Sequence, residues 1–427
     1  MLEDESGRLR LIGKTLTTEL LVTGCIIAVM GTENADGDFE VIDIKVPDLP
    51  RQPTPAELAP KPIQGQGVDG SGDTSMTSTA AMSGRGKVAI ISGLGITGTS
   101  ALLSLDLLLE FLLGESTSPS LQALSASITR LIIAGNSIAD AAPTQDTSSN
   151  SHLSASNKKS SGSGAAAGRK YGYDATAYNP APTTHLDTFL ATLLPSLPVT
   201  LMPGASDPAN VSVPQQPLHP ALFPQSRLYA APPDTSSKQE AGPAGRKVRK
   251  VQHEYPLHPA TNPAFFTLGS HLFLGHAGQP VDDIAKYVDT SSGVSSAVQE
   301  TLDILESTLR WRLIAPTAPD TLWCYPYQER EPFVLEEGWC PHVYFAGNQA
   351  GFGTRLVQGP NAVEGEVAET VRLLSLPKFS ETGEVVLVDL DDLSVQRLCF
   401  KVHGEEVSGV AGSGGGDEED KGFFAGV

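Results

Sequence analysis

"PVTLMPGASDPANVSVPQQPLHPALFP", residues 198–224, decides how this chain is read. Val199, Thr200 and Leu201 make a short buried-strand pattern that empties into Pro203-Gly204, and the run of Pro and Asn behind it continues neither a strand nor a helix. The pattern recurs in "KVAIIS" (87–92), "ITRLIIAG" (128–135), "HLFLG" (271–275) and "PHVYFAG" (341–347), each an apolar run that reaches a glycine. Unbroken apolar runs of this length are expected of strands buried on both faces. The loops at the ends of such strands are where α/β proteins usually keep their chemistry.

With 427 residues and 40% apolar content, the chain has room for two or three domains and a large core. Its 29 basic and 49 acidic residues leave a net charge of −20, which argues against a surface that wraps nucleic acid throughout. Cys25, Cys324, Cys340 and Cys399 are scattered, with no C-x-x-C spacing, so neither a zinc site nor a disulfide framework is expected. A reducing intracellular compartment fits this usage. The longest apolar stretch, "ALLSLDLLLEFLL" (101–113), is short for a membrane span and carries Asp106 and Glu110 one turn apart, as a core helix with one wet edge would. No signal peptide is expected, because residues 1–10 mix acid and base without an apolar run.

Texture divides the chain. "ELLVTGCIIAVM" (19–30) and "DFEVIDIKV" (38–46) read as two strands joined by a hairpin at Asp36-Gly37, giving a small β-domain over residues 1–51. Residues 52–86 are rich in Pro, Gly, Ser and Thr and read as a disordered linker. A second domain spans 87–403, closed by a hairpin in "GEVVLVDLDDLSVQRLCF" (383–400) and broken by polar inserts at about 141–170 and 232–251. The Gly-rich, acidic tail 404–427 reads as disordered.

Among chemical candidates, "SGLGITG" (92–98) places Gly93, Gly95 and Gly98 between a strand and a helix, as a dinucleotide fingerprint requires. The acid that should follow the next strand is missing at Ala134-Gly135-Asn136, which favours a glycine turn made for close packing. His219 and His342 sit among prolines and strand residues and read as structural. His276 is the best candidate ligand, and Asp282 and Asp283 behind it are expected to cap the helix "DDIAKYV". "RKVRK" (246–250) fits an import or DNA-contact patch, though a solvated loop is the simpler reading. The aromatic loop "LWCYPYQEREPF" (322–333) offers Trp323, Tyr325, Tyr327 and Phe333 either as a partner surface or as core.

Taken together, "LVTGCIIAVMG", "VAIISGLGI", "LIIAGN", "MPGASDPANVSVPQQPLHPALFP", "LGHAGQPVDDI", "IAPTAPDTLWCYPYQEREPF" and "CPHVYFAGNQAGFGT" resemble the B-subunit family, the small regulatory subunits of eukaryotic DNA polymerase delta. The resemblance covers about 1–51 and 87–403. It implies an α+β fold: an oligonucleotide-binding β-barrel, entered here part-way so that its N-terminal strands are cut short, then a calcineurin-like metallophosphoesterase β-sandwich flanked by helices and inactivated.

Active phosphoesterases carry D-x-H, G-D, P-G-N-H-D and G-H-x-H at these strand ends. Here Ser92 and Leu94 replace the first pair, Asn136 the second, and Ala205, Ser206 and Asp207 close the third. Asn348 and Ala350 stand in the last, and His276 is a further position of the lost site. One Asn and one Asp left of such a ligand set cannot assemble a two-metal centre. The resemblance therefore implies no catalytic residue, metal or cofactor. It implies a nuclear replication and repair scaffold between the catalytic subunit's cysteine-rich C-terminal domain and the third subunit. Contact with DNA and the sliding clamp would be indirect, through the holoenzyme, with no membrane partner. An active phosphodiesterase or exonuclease is the second reading, and a nucleotide-dependent oxidoreductase a distant third.

Overall fold

The computed structural model describes residues 1–4, 7–17, 20–58, 86–98, 103–139, 179–231, 255–288, 296–326, 331–359, 369–401 and 423–424. The chain opens with an antiparallel hairpin of β1 (Leu2–Asp4) and β2 (Gly7–Leu9). A three-stranded sheet follows, built from β3 (Leu11–Ile12), β4 (Ala28–Glu33) and β5 (Phe39–Lys45) in the order β3-β5-β4. The expected hairpin joins β4 to β5, and Asn34 organises its turn by accepting from the backbone N–H of Asp36 (3.0 Å) and Asp38 (2.9 Å). Of the run expected as a strand over 19–30, only Ala28–Met30 is extended in a sheet among the described residues. Leu20, Val22 and Cys25 pack against the core of the larger domain instead, and Gly24 at φ 83° lets the chain approach the Pro316 carbonyl where no side chain fits.

The expected linker begins as built structure. Thr54 and Glu57 form a capping box around α1 (Pro55–Leu58): the Thr54 N–H donates to the Glu57 carboxylate at 2.7 Å, and the Glu57 N–H donates to Thr54 Oγ1 at 3.4 Å. Residues 59–85 of that linker, the inserts at 141–170 and 232–251 with their RKVRK run, and residues 404–422 and 425–427 of the tail lie outside the described residues. Within the tail, β17 (Phe423–Phe424) pairs in parallel with the last strand of the sandwich, against the reading of a wholly disordered tail.

Two sheets stack in the larger domain. One has seven strands in the order β17-β16-β15-β6-β7-β8-β9. Its parallel centre is β6 (Lys87–Ile91), β7 (Ile128–Ala134), β8 (Val199–Met202) and β9 (Leu257–Pro259), with β15 (Glu384–Asp389) and β16 (Val395–Cys399) as the closing hairpin. The other has five, in the order β10-β11-β12-β14-β13. Here β11 (His271–His276), β12 (Val343–Gln349) and β14 (Thr370–Pro377) run parallel between antiparallel edges β10 (Ala264–Leu268) and β13 (Gly353–Gln358).

Side-chain alternation explains the layers. Val88 and Ile90 of β6, with Val343 and Phe345 of β12, fill the space between the sheets. Ala89 and Ile91 face a helical layer containing α2 (Leu103–Leu112) and α4 (Ala181–Leu193), with α3 (Pro119–Ala126) between them in sequence. Tyr344 and Ala346 face α5 (Gln279–Ala285) and α6 (Ala297–Arg310) on the opposite side. With both faces covered, the central strands are apolar throughout, and each large side chain they bury contributes about 1.5–3 kcal/mol. On α2, Leu108, Phe111 and Leu112 are buried while Asp106 and Glu110 face solvent, as the sequence predicts. No described helix is long and apolar enough to cross a membrane.

A strap fastens the small sheet to the sandwich. The Asp48 N–H donates to the Arg310 carbonyl (2.8 Å), and Arg312 donates to the carbonyls of Asp48 (2.6 Å) and Leu49 (3.1 Å) while pairing with Glu337 (2.6 Å). Gln52 Nε2 continues the attachment onto the carbonyls of Pro341 and Thr370.

Candidate functional site at the strand ends

Parallel pairing carries the loops after β6, β7, β8, β11 and β12 to the same edge of the sandwich, where a site would be expected. Asn348 sits at their meeting point with a left-handed backbone, φ 60°. Its side-chain amide donates to the carbonyls of Ala277 (2.8 Å) and Ala134 (3.2 Å), and its backbone N–H donates to Ser92 Oγ (2.9 Å). Ser92 in turn donates to the Pro377 carbonyl (3.0 Å). Asn136, also left-handed at φ 52°, accepts from the Ser206 N–H through Oδ1 (3.1 Å), and Ser206 Oγ donates to the Ile138 carbonyl (2.6 Å). Leu94 is fully buried in the core, Ala205 lines a cavity beside this cluster, and Ala350 is exposed.

Asp207 is buried and acts as a staple between two loops. One carboxylate oxygen accepts from the Ile138 N–H and the other from the Gly204 N–H, both at 2.9 Å. Burial pushes its carboxyl up to about 6, against the opposing pull of those backbone donors. The main chain fills what room is left. A Cβ on Gly204 would lie 2.3 Å from the backbone N of Asn136, and one on Gly347 would lie 2.5 Å from the Ala134 carbonyl oxygen.

The glycine loop binds protein. The N–H groups of Gly93, Gly95 and Ile96 donate to the carbonyls of Gly135 (2.9 Å), Asn136 (3.1 Å) and Ser137 (3.0 Å). Those amides are spent on the neighbouring loop, so no phosphate cradle remains. Gly93 and Gly95 take φ of 62° and 57°, the conformation that requires glycine, whereas Gly98 is confined by contact with Ala181, Asn179 and Pro182.

His276 is fully buried and neutral, with burial driving its imidazole down to about 3. Its Nδ1 accepts from the Gly278 N–H (3.1 Å), which places the proton on Nε2, 3.3 Å from the Tyr344 hydroxyl. The relay of donors continues from Tyr344 to Thr308 Oγ1 (3.2 Å) and on to the Leu305 carbonyl (2.9 Å). The expected Asp caps are displaced, because α5 starts earlier, at Gln279, with Gly278 at its N-cap. Asp282 lies in the first turn and Asp283 just past it; Asp283 accepts from Lys286 (2.8 Å) and Thr321 (2.6 Å). His219 caps a short turn through the Ala221 N–H, and His342 holds the Leu272 N–H (both 3.1 Å).

Sequence reasoning missed an amide triad under the loops. Asn262 Nδ2 donates to Gln215 Oε1 (2.7 Å) and Gln279 Oε1 (2.9 Å), and Asn262 Oδ1 accepts from the Ala277 N–H (2.9 Å). Gln215 Nε2 reaches the Gly204 carbonyl at 3.2 Å. The signal for Gln215 lay in "QQPLHP"; Asn262 had none. Of the aromatic loop, Trp323 and Tyr325 are exposed, but Phe333 is wholly buried and belongs to the core, drawn inward where its carbonyl accepts from the Ile314 N–H (2.9 Å). Tyr327 lies outside the described residues.

These donors do not fit a metal centre. Among the described residues no group of three or more His, Cys, Asp or Glu is placed to hold an ion. Both oxygens of Asp207 and the Nδ1 of His276 are already engaged by backbone N–H groups. The arrangement ties loops from both sheets together.

Comparison with known proteins agrees along the chain. Residues 88–354 match the B-subunit family of DNA polymerases alpha and epsilon, and residues 1–44 match the DNA polymerase delta subunit OB-fold domain. The chain is 33% identical over 426 residues to the DNA polymerase delta small subunit of Saccharomyces cerevisiae, covering 94% of this chain and 70% of that protein. It is 34% identical to the DNA polymerase delta small subunit of Arabidopsis thaliana (94% and 72% covered) and 32% identical to DNA polymerase delta subunit 2 of Drosophila melanogaster (95% and 74%). With that similarity running through the strands, the loops and the small N-terminal sheet alike, the chain belongs to the DNA polymerase delta small-subunit family.

Proposed function

We propose that the chain is a non-catalytic accessory subunit of DNA polymerase delta, working in nuclear replication and repair synthesis. In this reading residues 1–51 derive from an oligonucleotide-binding barrel and 87–403 from a calcineurin-like phosphoesterase that has lost its metal ligands. The chain bridges the catalytic subunit's cysteine-rich C-terminal domain to the third subunit, and it meets DNA and the sliding clamp only through the holoenzyme. The closed strand ends are the observation that carries this reading: Asn348, Ser92 and Gly204 occupy the space where metal ligands would converge. A net charge of −20 supports protein partners over direct DNA contact.

The test has two arms. Elemental analysis after loading with Mn, Zn or Fe should find no stoichiometric ion. Co-purification with the catalytic subunit's C-terminal domain and the third subunit should yield a ternary complex that neither partner forms without this chain. A tightly held ion, with phosphodiesterase activity abolished by Asp207→Asn or His276→Gln, overturns the non-catalytic reading. Failure to recover the ternary complex overturns the bridge.

A further inference from the structure

Beside the closed strand ends, the loop after β8 and the segment 322–325 run together. The Val213 N–H donates to the Trp323 carbonyl (2.9 Å), and the Tyr325 N–H donates to the Val213 carbonyl (2.8 Å). This pairing raises a ridge on which Val211, Trp323 and Tyr325 are 73%, 70% and 64% exposed, an unusual concentration of apolar surface in an acidic chain. A cavity of about 300 Å³ is lined by Val211, Leu322 and Trp323 from the ridge and by Asp282 from the first turn of α5. Lys286 also reaches the cavity, but its ammonium is turned onto Asp283 at 2.8 Å. Asp282 accepts one long hydrogen bond, from Gln349 Nε2 at 3.3 Å, and has no ion-pair partner among the described residues.

An indole and a carboxylate without a salt bridge among the described residues, lining one cavity, are the two groups that bind a side-chain cation. The ring quadrupole attracts the charge, the carboxylate neutralises it, and an aliphatic stem can lie along Val211 and Leu322. We propose that this cavity receives a lysine or arginine side chain from a partner protein, with Tyr325 and the exposed face of Trp323 as the surrounding contact. Charge complementarity selects this occupant over an acidic or nucleic-acid ligand, because the lining carries two carboxylates, Asp282 and Asp283, against the one ammonium of Lys286. The inference rests on the proposed accessory role only in taking the ligand to be a protein.

The test is calorimetric titration of the full chain with hexa-arginine and with hexa-citrulline, whose side chains have the same shape without charge. Hexa-arginine should bind about tenfold more tightly, and Asp282→Asn or Trp323→Leu should each remove most of that preference with Tm unchanged. Equal binding of the two peptides overturns the proposal. So does wild-type affinity in both variants, which would reduce the interaction to diffuse attraction toward an acidic protein. Concentration-dependent self-association abolished by Trp323→Leu but indifferent to Asp282→Asn would assign the ridge to a second copy of the chain and equally overturn it. No polymerase subunit enters this titration, so its failure is separable from failure of the ternary complex.

Discussion

At the strand ends the side chains that hold the loops are uncharged or deeply buried, whereas in the 48–52 strap they are guanidinium and carboxylate groups close to water. Asn262, Gln215 and Asn348 each satisfy two or more buried backbone or amide groups. Arg312 does comparable work on Asp48 and Leu49 with its side chain 26% exposed and its partner Glu337 64% exposed. The difference teaches where stability is stored. Buried neutral groups cannot be replaced by solvent when lost, so each carries its full desolvation penalty, while a charged strap at the surface is partly replaced by water and screened by salt.

The hardest break of that comparison is Gly204→Ala. Its Cβ would fall 2.3 Å from both the backbone N and Oδ1 of Asn136, where main chain cannot give way. A loss of about 3 kcal/mol or more in urea denaturation is expected, because overpacking against backbone cannot be relieved by a rotamer change. Wild-type stability in this variant would show that the strand ends are looser than described.

A pH series sharpens the contrast within the buried group. The imidazole of His276 falls from 6.5 to about 3 in the fold, so its contribution to stability is lost as pH drops below the unfolded value. Asp207 rises from 3.8 to about 6, so it acts in the opposite sense and costs stability as pH climbs through that window. Between pH 7 and 4.5 the two contributions are each about 2 kcal/mol and nearly offset. Relative to wild type, Asp207→Asn should therefore lose stability on acidification and His276→Gln should gain it. Identical pH profiles for all three proteins would remove both groups from the account.

The smallest effect is expected at the strap. Arg312→Ala should cost about 1 kcal/mol, since water reaches the freed carbonyls, and hydrogen exchange at Asp48–Gln52 should quicken while the amides of β6 and β12 stay protected. Added salt should narrow the gap between variant and wild type. An effect as large as that of Gly204→Ala would place the strap inside the core's cooperative unit.

These two regions were unequally legible in the sequence. The strands that end at the site were readable because burial on both faces turns β6, β7, β8 and β12 into unbroken apolar runs. The edge strand β13, "GTRLVQ", is half exposed and alternates weakly, β9 has only three residues, and Arg372 and Ser375 interrupt the pattern of β14. At the site, Ser92, Asn136, Ser206 and Asn348 were visible as polar letters at the ends of readable strands. The amides of Asn262 and Gln279 that now hold the loops were not, because a buried hydrogen bond between distant segments leaves no local period. The strap was readable in part: Thr54-x-x-Glu57 is a capping-box signature, overlooked inside a Pro-rich stretch. Phe333 shows the limit, since nothing within "YQEREPF" distinguishes a ring on the surface from one pulled inside by Ile314.

The amide of Asn348 makes the two sheets' loops depend on one residue. A single substitution to His or Asp there would remove the amide donor that Ala277 and Ala134 share, so it would release two loops at once. The cluster is thus a shared joint between the two sheets: a change at this one amide is felt at Ala134 of one sheet and Ala277 beside the other at the same time.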